Sequence, residues 1–223
     1  MDAVLFFELH RREIFMAGNG EPFWGKAYRE ENAVAFSSEP NRTIKEFEYL
    51  LKKPSRILDV GCGEGQNAFY LAQQGYGEVD AFDRSISAIE KCKKRSLATN
   101  TKIHAFVADL KNYQWRQSYD WILSFGTFHF VEKTDWKSFI LQAKTHTNQG
   151  GIHIVQIFTD ALPAPEDISP FSIGLAKDGE IRELYRDWEI LQFQSYLFEE
   201  EHPGIPRHTH ASNKIVARKT DCV

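Results

Sequence analysis

No apolar run in the 223-residue chain approaches the roughly 20 residues that a membrane-spanning helix needs. Cysteine is scarce: Cys62, Cys92 and Cys222 are odd in number, widely spread and not in a C-x-x-C pair, which excludes a disulfide scaffold. That usage argues for a reducing compartment and against a zinc site. Neither sign of charge dominates, since 27 Lys+Arg stand against 31 Asp+Glu for a formal charge of −4. Such a surface offers no general field for phosphate backbones or anionic lipid, and no local basic patch stands out, so neither nucleic acid nor membrane is expected as a partner. The opening Met1 to Phe7 is apolar but short and lacks a cationic start, so it is a poor secretory signal. The expected compartment is the cytoplasm. Internal repeats and low-complexity tracts are missing too, while 42% hydrophobic residues suit a soluble globular domain that can bury its own core.

The text of the chain changes style at Pro54 and again after Phe158. Residues 1–53 read as an N-terminal arm followed by a cap. Residues 1 to about 20 could form a short helix or a loose arm, and Phe23, Trp24, Tyr28 and Phe36 are interleaved with charge in an ordered cap. Ile44, Phe47, Leu50 and Leu51 then follow a helical period that Pro54 ends. Residues 54–223 form the main domain. Strands are expected at 57–60, 79–82, 103–107, 121–124 and 152–158, with helices between them. That alternation indicates right-handed βαβ crossovers and a parallel sheet covered on both faces. Ser85 is a candidate N-cap for the helix carrying Ile86, Ile89 and Cys92, whose Lys91 to Arg95 cluster reads as a solvated face. Residues 160–174 hold Pro163, Pro165 and Pro170 and cannot be regular structure; a loop of that length needs a function, here covering a substrate. Two further strands, 189–197 and 211–218, would close the sheet edge as an antiparallel hairpin. The expected fold is α/β, a doubly wound, mostly parallel seven-stranded sheet with an antiparallel C-terminal hairpin.

The strongest local signal is Asp59-Val60-Gly61-Cys62-Gly63-Glu64-Gly65-Gln66, a strand-to-helix turn. Glycines there let the backbone lie against a ligand, because no Cβ intervenes and positive φ is cheap. A dinucleotide site wants G-x-G-x-x-G, but Gln66 occupies the third position. Charge separates the two readings further. Asp59 and Glu64 bracket the turn, and two carboxylates would repel a diphosphate, so the expected guest is cationic or zwitterionic. S-adenosylmethionine meets that requirement, with no phosphate, an α-ammonium and a sulfonium.

The pattern resembles the class I methyltransferases, whose first motif places an acidic residue two positions before G-x-G-x-G. Three further pieces come in order: Val79 to Asp83, Val107 to Leu110, and Trp121 to Ser124. The resemblance implies that Asp83 meets the ribose hydroxyls, with Arg84 beside it. It also implies that Asp109 and Leu110 meet the adenine, and that Ser124 ends the strand beneath the transferred methyl. Taken singly, Asp59 could cap the following turn, Asp83 could be the helix N-cap, and Cys62 reads as a small filler.

Residues beyond the fourth strand narrow the acceptor. Ser124 to Phe130 lacks the Asn/Asp-Pro-Pro-aromatic tetrad used on exocyclic base amines, which disfavours flipped-base chemistry. The stretch from about Pro54 to Lys219, densest in the glycine loop and in a tail made of Pro170-Phe171, Gly179 to Glu189 and a hairpin ending Ile215 to Lys219, resembles the tellurite-resistance methyltransferases of the TehB type. That likeness implies a small-molecule acceptor, a tellurium or selenium oxyanion or a thiol, and it carries a histidine and an arginine of the acceptor side onto His202 and Arg207. A guanidinium at Arg207 would hold an oxyanion through paired hydrogen bonds, and His208 and His210 alternate toward one face of a strand. The alternative for these residues is exposed hairpin polarity. His129 would either orient substrate or be satisfied within its loop. His202, His208 and His210 could ligate a metal by residue type, but no metal is expected. A cofactor-binding sensor without turnover is the alternative function, and oligomeric state is left open.

Overall fold

The structure, a computed structural model, describes residues 22–166, 168–202 and 205–220; the side chains of residues 202, 205 and 206 lie outside that description. The expected arm at 1–20 falls outside it as well.

The cap contains α1 (Phe23–Arg29) and α2 (Arg42–Phe47), the latter capped by the Asn41 side chain, which accepts from the Thr43 N–H at 3.0 Å. The main domain then runs β1 (Ser55–Val60), α3 (Gln66–Gln73), β2 (Gly77–Asp83), α4 (Ile86–Thr99), β3 (Ile103–Val107) and β4 (Tyr119–Phe125). After these come α5 (Lys133–Thr145), β5 (Thr147–Phe158), α6 (Glu180–Leu184), β6 (Glu189–His202) and β7 (Ile205–Arg218). Ser85 caps α4 as its residue type requires, accepting from the Ala88 N–H at 3.3 Å.

The seven strands form one sheet in the order β3-β2-β1-β4-β5-β7-β6. The pairs among β1 to β5 are parallel, and β7 runs antiparallel to both β5 and β6. Alternation along the strands feeds two cores. Leu58 and Val60 join Phe82, Tyr113, Phe128, Trp136 and Phe139 on one face, while Ile57 joins Phe69, Leu71, Ile89 and Cys92 on the other. The loops after β1, β2, β3 and β4 therefore gather at one edge, the crevice outside the carboxyl ends of the strands where open α/β sheets bind ligands.

The hairpin is longer than the sequence suggests. Strands were expected at 189–197 and 211–218, yet the ladder continues through the pairs Phe198↔His210, Glu199↔Thr209 and Glu200↔His208. Polar residues there break the apolar alternation that marks a strand, but backbone pairing does not require it, and the ribbon runs on. The described residues of 160–174 lack helix and strand, as expected, but are tied down. Trp136 Nε1 donates to the Gly174 carbonyl at 2.8 Å, the Gly174 N–H donates to the His129 carbonyl at 3.1 Å, and Phe171 is buried. No helix of the described residues is long and apolar enough to cross a membrane.

Candidate functional site

A cavity of about 910 Å3 opens at the carboxyl edge of the sheet, within the range of small-molecule sites. Its floor is the turn after β1. Gly61 and Gly63 hold φ of +66° and +52°, where an L side chain is strained. Space is closed to them as well: a Cβ on Gly61 would overlap the Thr127 side chain, and one on Gly63 would stand 2.8 Å from the Tyr28 hydroxyl. Both glycines line the cavity, with Thr127 and Tyr28 packed around them.

Asp83 stands at the tip of β2. Its Oδ2 accepts from the Gly63 N–H at 3.0 Å and its Oδ1 from the Ser85 N–H at 2.8 Å, so one lone pair of each oxygen remains for a ligand. Burial raises its pKa, opposed by those two N–H groups and by the charge and N–H of Arg84. The carboxylate therefore braces the glycine loop and faces the cavity at once. Arg84, Asp109 and Leu110 line the same region, and Asp109 Oδ1 accepts from the Lys111 N–H at 2.9 Å.

Four residues expected at the ligand stand behind the wall instead. Glu64 Oε2 accepts from the Ala35 N–H at 3.0 Å and its Oε1 pairs with Lys91 at 2.7 Å, so its charge is spent on joining cap to helix. Lys91 was expected in a solvated face; it also donates to the Ala27 and Ala33 carbonyls and pins the cap. Gly65 is the N-cap of α3 and lies against the Cys92 sulfur. Ser124 is fully buried within β4, and the cavity is lined by Phe125 and Gly126 just beyond it. Asp59 is buried at the end of β1, with its Oδ2 lacking a hydrogen-bond partner among the described residues. Desolvation holds its pKa up at about 7, opposed by the Ala68 N–H and reinforced by the Asp83 charge. The carboxylates that line the cavity at the strand tips are thus Asp83 and Asp109, not the pair Asp59 and Glu64. Cys62 fits the filler reading, since burial pushes its thiol well up and keeps it protonated.

Beyond the strand tips the lining turns aromatic. Trp24 and Phe36 from the cap, Phe130 after β4, Phe158 from β5, Phe171 from the covering loop and Phe198 from β6 surround this end. Trp24 sits 4.8 Å from Phe130 and 5.6 Å from Phe171 between ring centroids, which closes the cap onto the loop. Gln156 and Glu200 add polar atoms. His129 stacks on Phe158 at 4.0 Å and is fully buried, with neither ring nitrogen hydrogen-bonded among the described residues. Burial pushes its pKa down to about 3, helped by His210, so the ring is neutral. Among the described residues it has no hydrogen bond of the kind that would make it a satisfied loop histidine.

The expected acceptor residues do not assemble as the sequence suggests. Arg207 is exposed, ion-pairs with Glu199 and does not line the cavity. Strand alternation explains this: Arg207 and His208 are neighbours and must face opposite sides, and it is His208 and His210 that share the face of Phe198 and Glu200. The His202 side chain lies outside the described residues. The sequence reading missed Glu200, Phe158 and Thr127. Register could have found Glu200, since it is two residues from Phe198 along the same strand.

Comparison with known proteins gives the geometry a lineage. The family model described as tellurite resistance protein TehB matches residues 30–215. A probable S-adenosyl-L-methionine-dependent methyltransferase TehB of Haemophilus influenzae is 32% identical over 148 residues, covering 66% of this chain and 50% of that protein. Hemagglutinin 1 of Eikenella corrodens is 29% identical over 166 residues, covering 74% of this chain and 52% of its own. The chain thus spans about half the length of these curated relatives. The crystal structure of TehB from Haemophilus influenzae superposes with a TM-score of 0.72 and 27% identity, over 88% of this chain and 66% of that one. By sequence model and by fold alike, the chain belongs to the TehB tellurite-resistance family.

Proposed function

We propose that the chain is an S-adenosylmethionine-dependent methyltransferase acting on a small organic molecule with an apolar, planar body and a soft nucleophilic atom, a thiol being the best fit. When bound, the cofactor supplies an electrophilic methyl on a sulfonium. Asp83 would accept hydrogen bonds from the ribose hydroxyls while holding the Gly63 N–H, and Asp109 and Leu110 would hold the base. Gly61 and Gly63 let the backbone approach, and Thr127 fixes the loop by donating toward the Val60 carbonyl at 3.3 Å. The cap and the covering loop exclude water through the contacts of Trp24, and a desolvated, aligned thiol gains most of its rate from placement.

The aromatic end of the cavity carries the choice of acceptor. Rings from five separate segments surround it, whereas Arg207, the group suited to a chalcogen oxyanion, is engaged with Glu199 on the opposite face of the hairpin. The test is incubation with S-adenosylmethionine and, separately, thiophenol, a thiopurine, tellurite and selenite, read by mass spectrometry. The expected result is methylation of the aromatic thiols with an equal amount of S-adenosylhomocysteine. Turnover of tellurite or selenite alone would overturn the organic acceptor, and cofactor binding with no turnover of any compound would favour a sensor.

A further inference from the structure

We propose that Glu200, His208 and His210 form a binding site for a divalent cation of the zinc class at the aromatic end of the cavity. The hairpin register creates it. Glu200 pairs with His208, and Phe198 with His210, so the three ligand-bearing residues occupy consecutive positions on one face of a two-stranded ladder. One ligand atom from each lies within 4.8 Å of the others.

The spacing within the group suits convergence on a common point. Glu200 Oε2 and His210 Nε2 are 3.4 Å apart, longer than the 2.7–2.9 Å of a charge-assisted hydrogen bond. Two ligands held about 2.1 Å from a tetrahedral ion stand about 3.4 Å from each other. Two imidazoles and one carboxylate are the ligand chemistry of zinc sites that keep a fourth position open, and the mixed set is poor for magnesium or calcium, which want oxygen alone.

Surroundings support the same reading. His210 is buried, stacked on Phe158 at 4.4 Å, and its ring meets that of His208 edge-on at 4.7 Å. Such packing fixes ligand orientation in a low-dielectric pocket, which strengthens attraction between a carboxylate and a dication. Of the three, Glu200 lines the cavity, so an ion held here would be reached from the acceptor end on that side. A thiol entering there would lose its proton to solvent and present a thiolate sulfur to the ion. That role rests on the methyltransferase reading; the binding of the ion does not.

The test strips the full-length protein with EDTA, dialyses it and titrates it with zinc chloride by calorimetry, with the cobalt(II) absorption spectrum as a second readout. One equivalent per chain is expected, together with the visible bands of a four-coordinate site. Glu200→Gln and His208→Gln, both at partly exposed positions and checked for folding by circular dichroism, should each weaken zinc by more than about tenfold, the scale on which even outer-shell partners count. His104→Ala, on a distant exposed histidine, should not. Absence of stoichiometric binding, or affinity unchanged in both hairpin variants, would overturn the site. The stripped wild-type protein is also titrated with S-adenosylmethionine, so that failure of the cofactor reading registers separately from failure of the metal.

Discussion

The cavity's polar end stands on four parallel strands whose following turns line it, with carboxylates at the tips of β2 and β3, whereas its aromatic end is walled by an antiparallel ribbon, a cap and a covering loop. The first is dictated locally. A strand that ends Asp-Val-Gly-Cys-Gly places its chemistry within a few residues, and the next strand does the same with Asp83. The second is assembled across the chain: Trp24 meets Phe171, and Phe158 meets both His129 and His210. Local order makes one end sensitive to single backbone changes, and distributed packing lets the other be retuned.

The largest expected loss is at the polar end. Gly61→Ala combines left-handed strain with overlap on Thr127, together about 2–5 kcal/mol, so affinity for S-adenosylmethionine should fall by at least ~30-fold in calorimetry. A smaller loss than at any aromatic position would break the contrast.

Asp59 probes the same end through pH. Its pKa is raised from 3.8 to about 7, so between those values the folded state binds more protons than the unfolded chain, and this residue's contribution makes stability fall as pH rises through that window. The span corresponds to up to about 4 kcal/mol. Asp59→Asn removes the ionisation, so melting of the ligand-free variant should gain on the parent from about pH 4 upward and level off above about pH 7. A pH-independent difference would contradict the buried carboxyl.

Asp83→Ala should weaken S-adenosylmethionine by about 1.5–3 kcal/mol, roughly 10- to 100-fold, through loss of charge-assisted hydrogen bonds. Lys91→Ala unpairs the partly buried Glu64 and should cost about 1–3 kcal/mol, visible as faster amide exchange at Ala35 and along residues 30–41. The smallest effect belongs to Arg207→Ala, which breaks an exposed ion pair worth about 0–1 kcal/mol and should leave methylation of thiophenol unaltered. Selective loss of that turnover would return Arg207 to the acceptor.

Legibility followed the same division. The parallel strands, their order of motifs and the lining role of Gly61, Gly63, Asp83, Asp109 and Leu110 lie close to the text, because glycine, acid and strand end are neighbours in sequence. Glu64 misled because its partner Lys91 comes 27 residues later on another helix, and charge in a sequence does not reveal its own neutralisation. The hairpin misled in two ways. Its polar tip hid continued pairing, and the resemblance put Arg207 at the acceptor together with His208, where alternation sets the two on opposite faces. His129 could not be read at all, since its burial against Phe158 depends on how β5 packs over the turn after β4.

The most direct measurement is calorimetric titration of the full-length protein with S-adenosylmethionine and, in parallel, with NADH. A cavity floored by glycines and edged by Asp83 and Asp109 predicts one equivalent of the sulfonium nucleoside per chain and no saturable binding of the dinucleotide. Tight NADH binding with none of S-adenosylmethionine would contradict it.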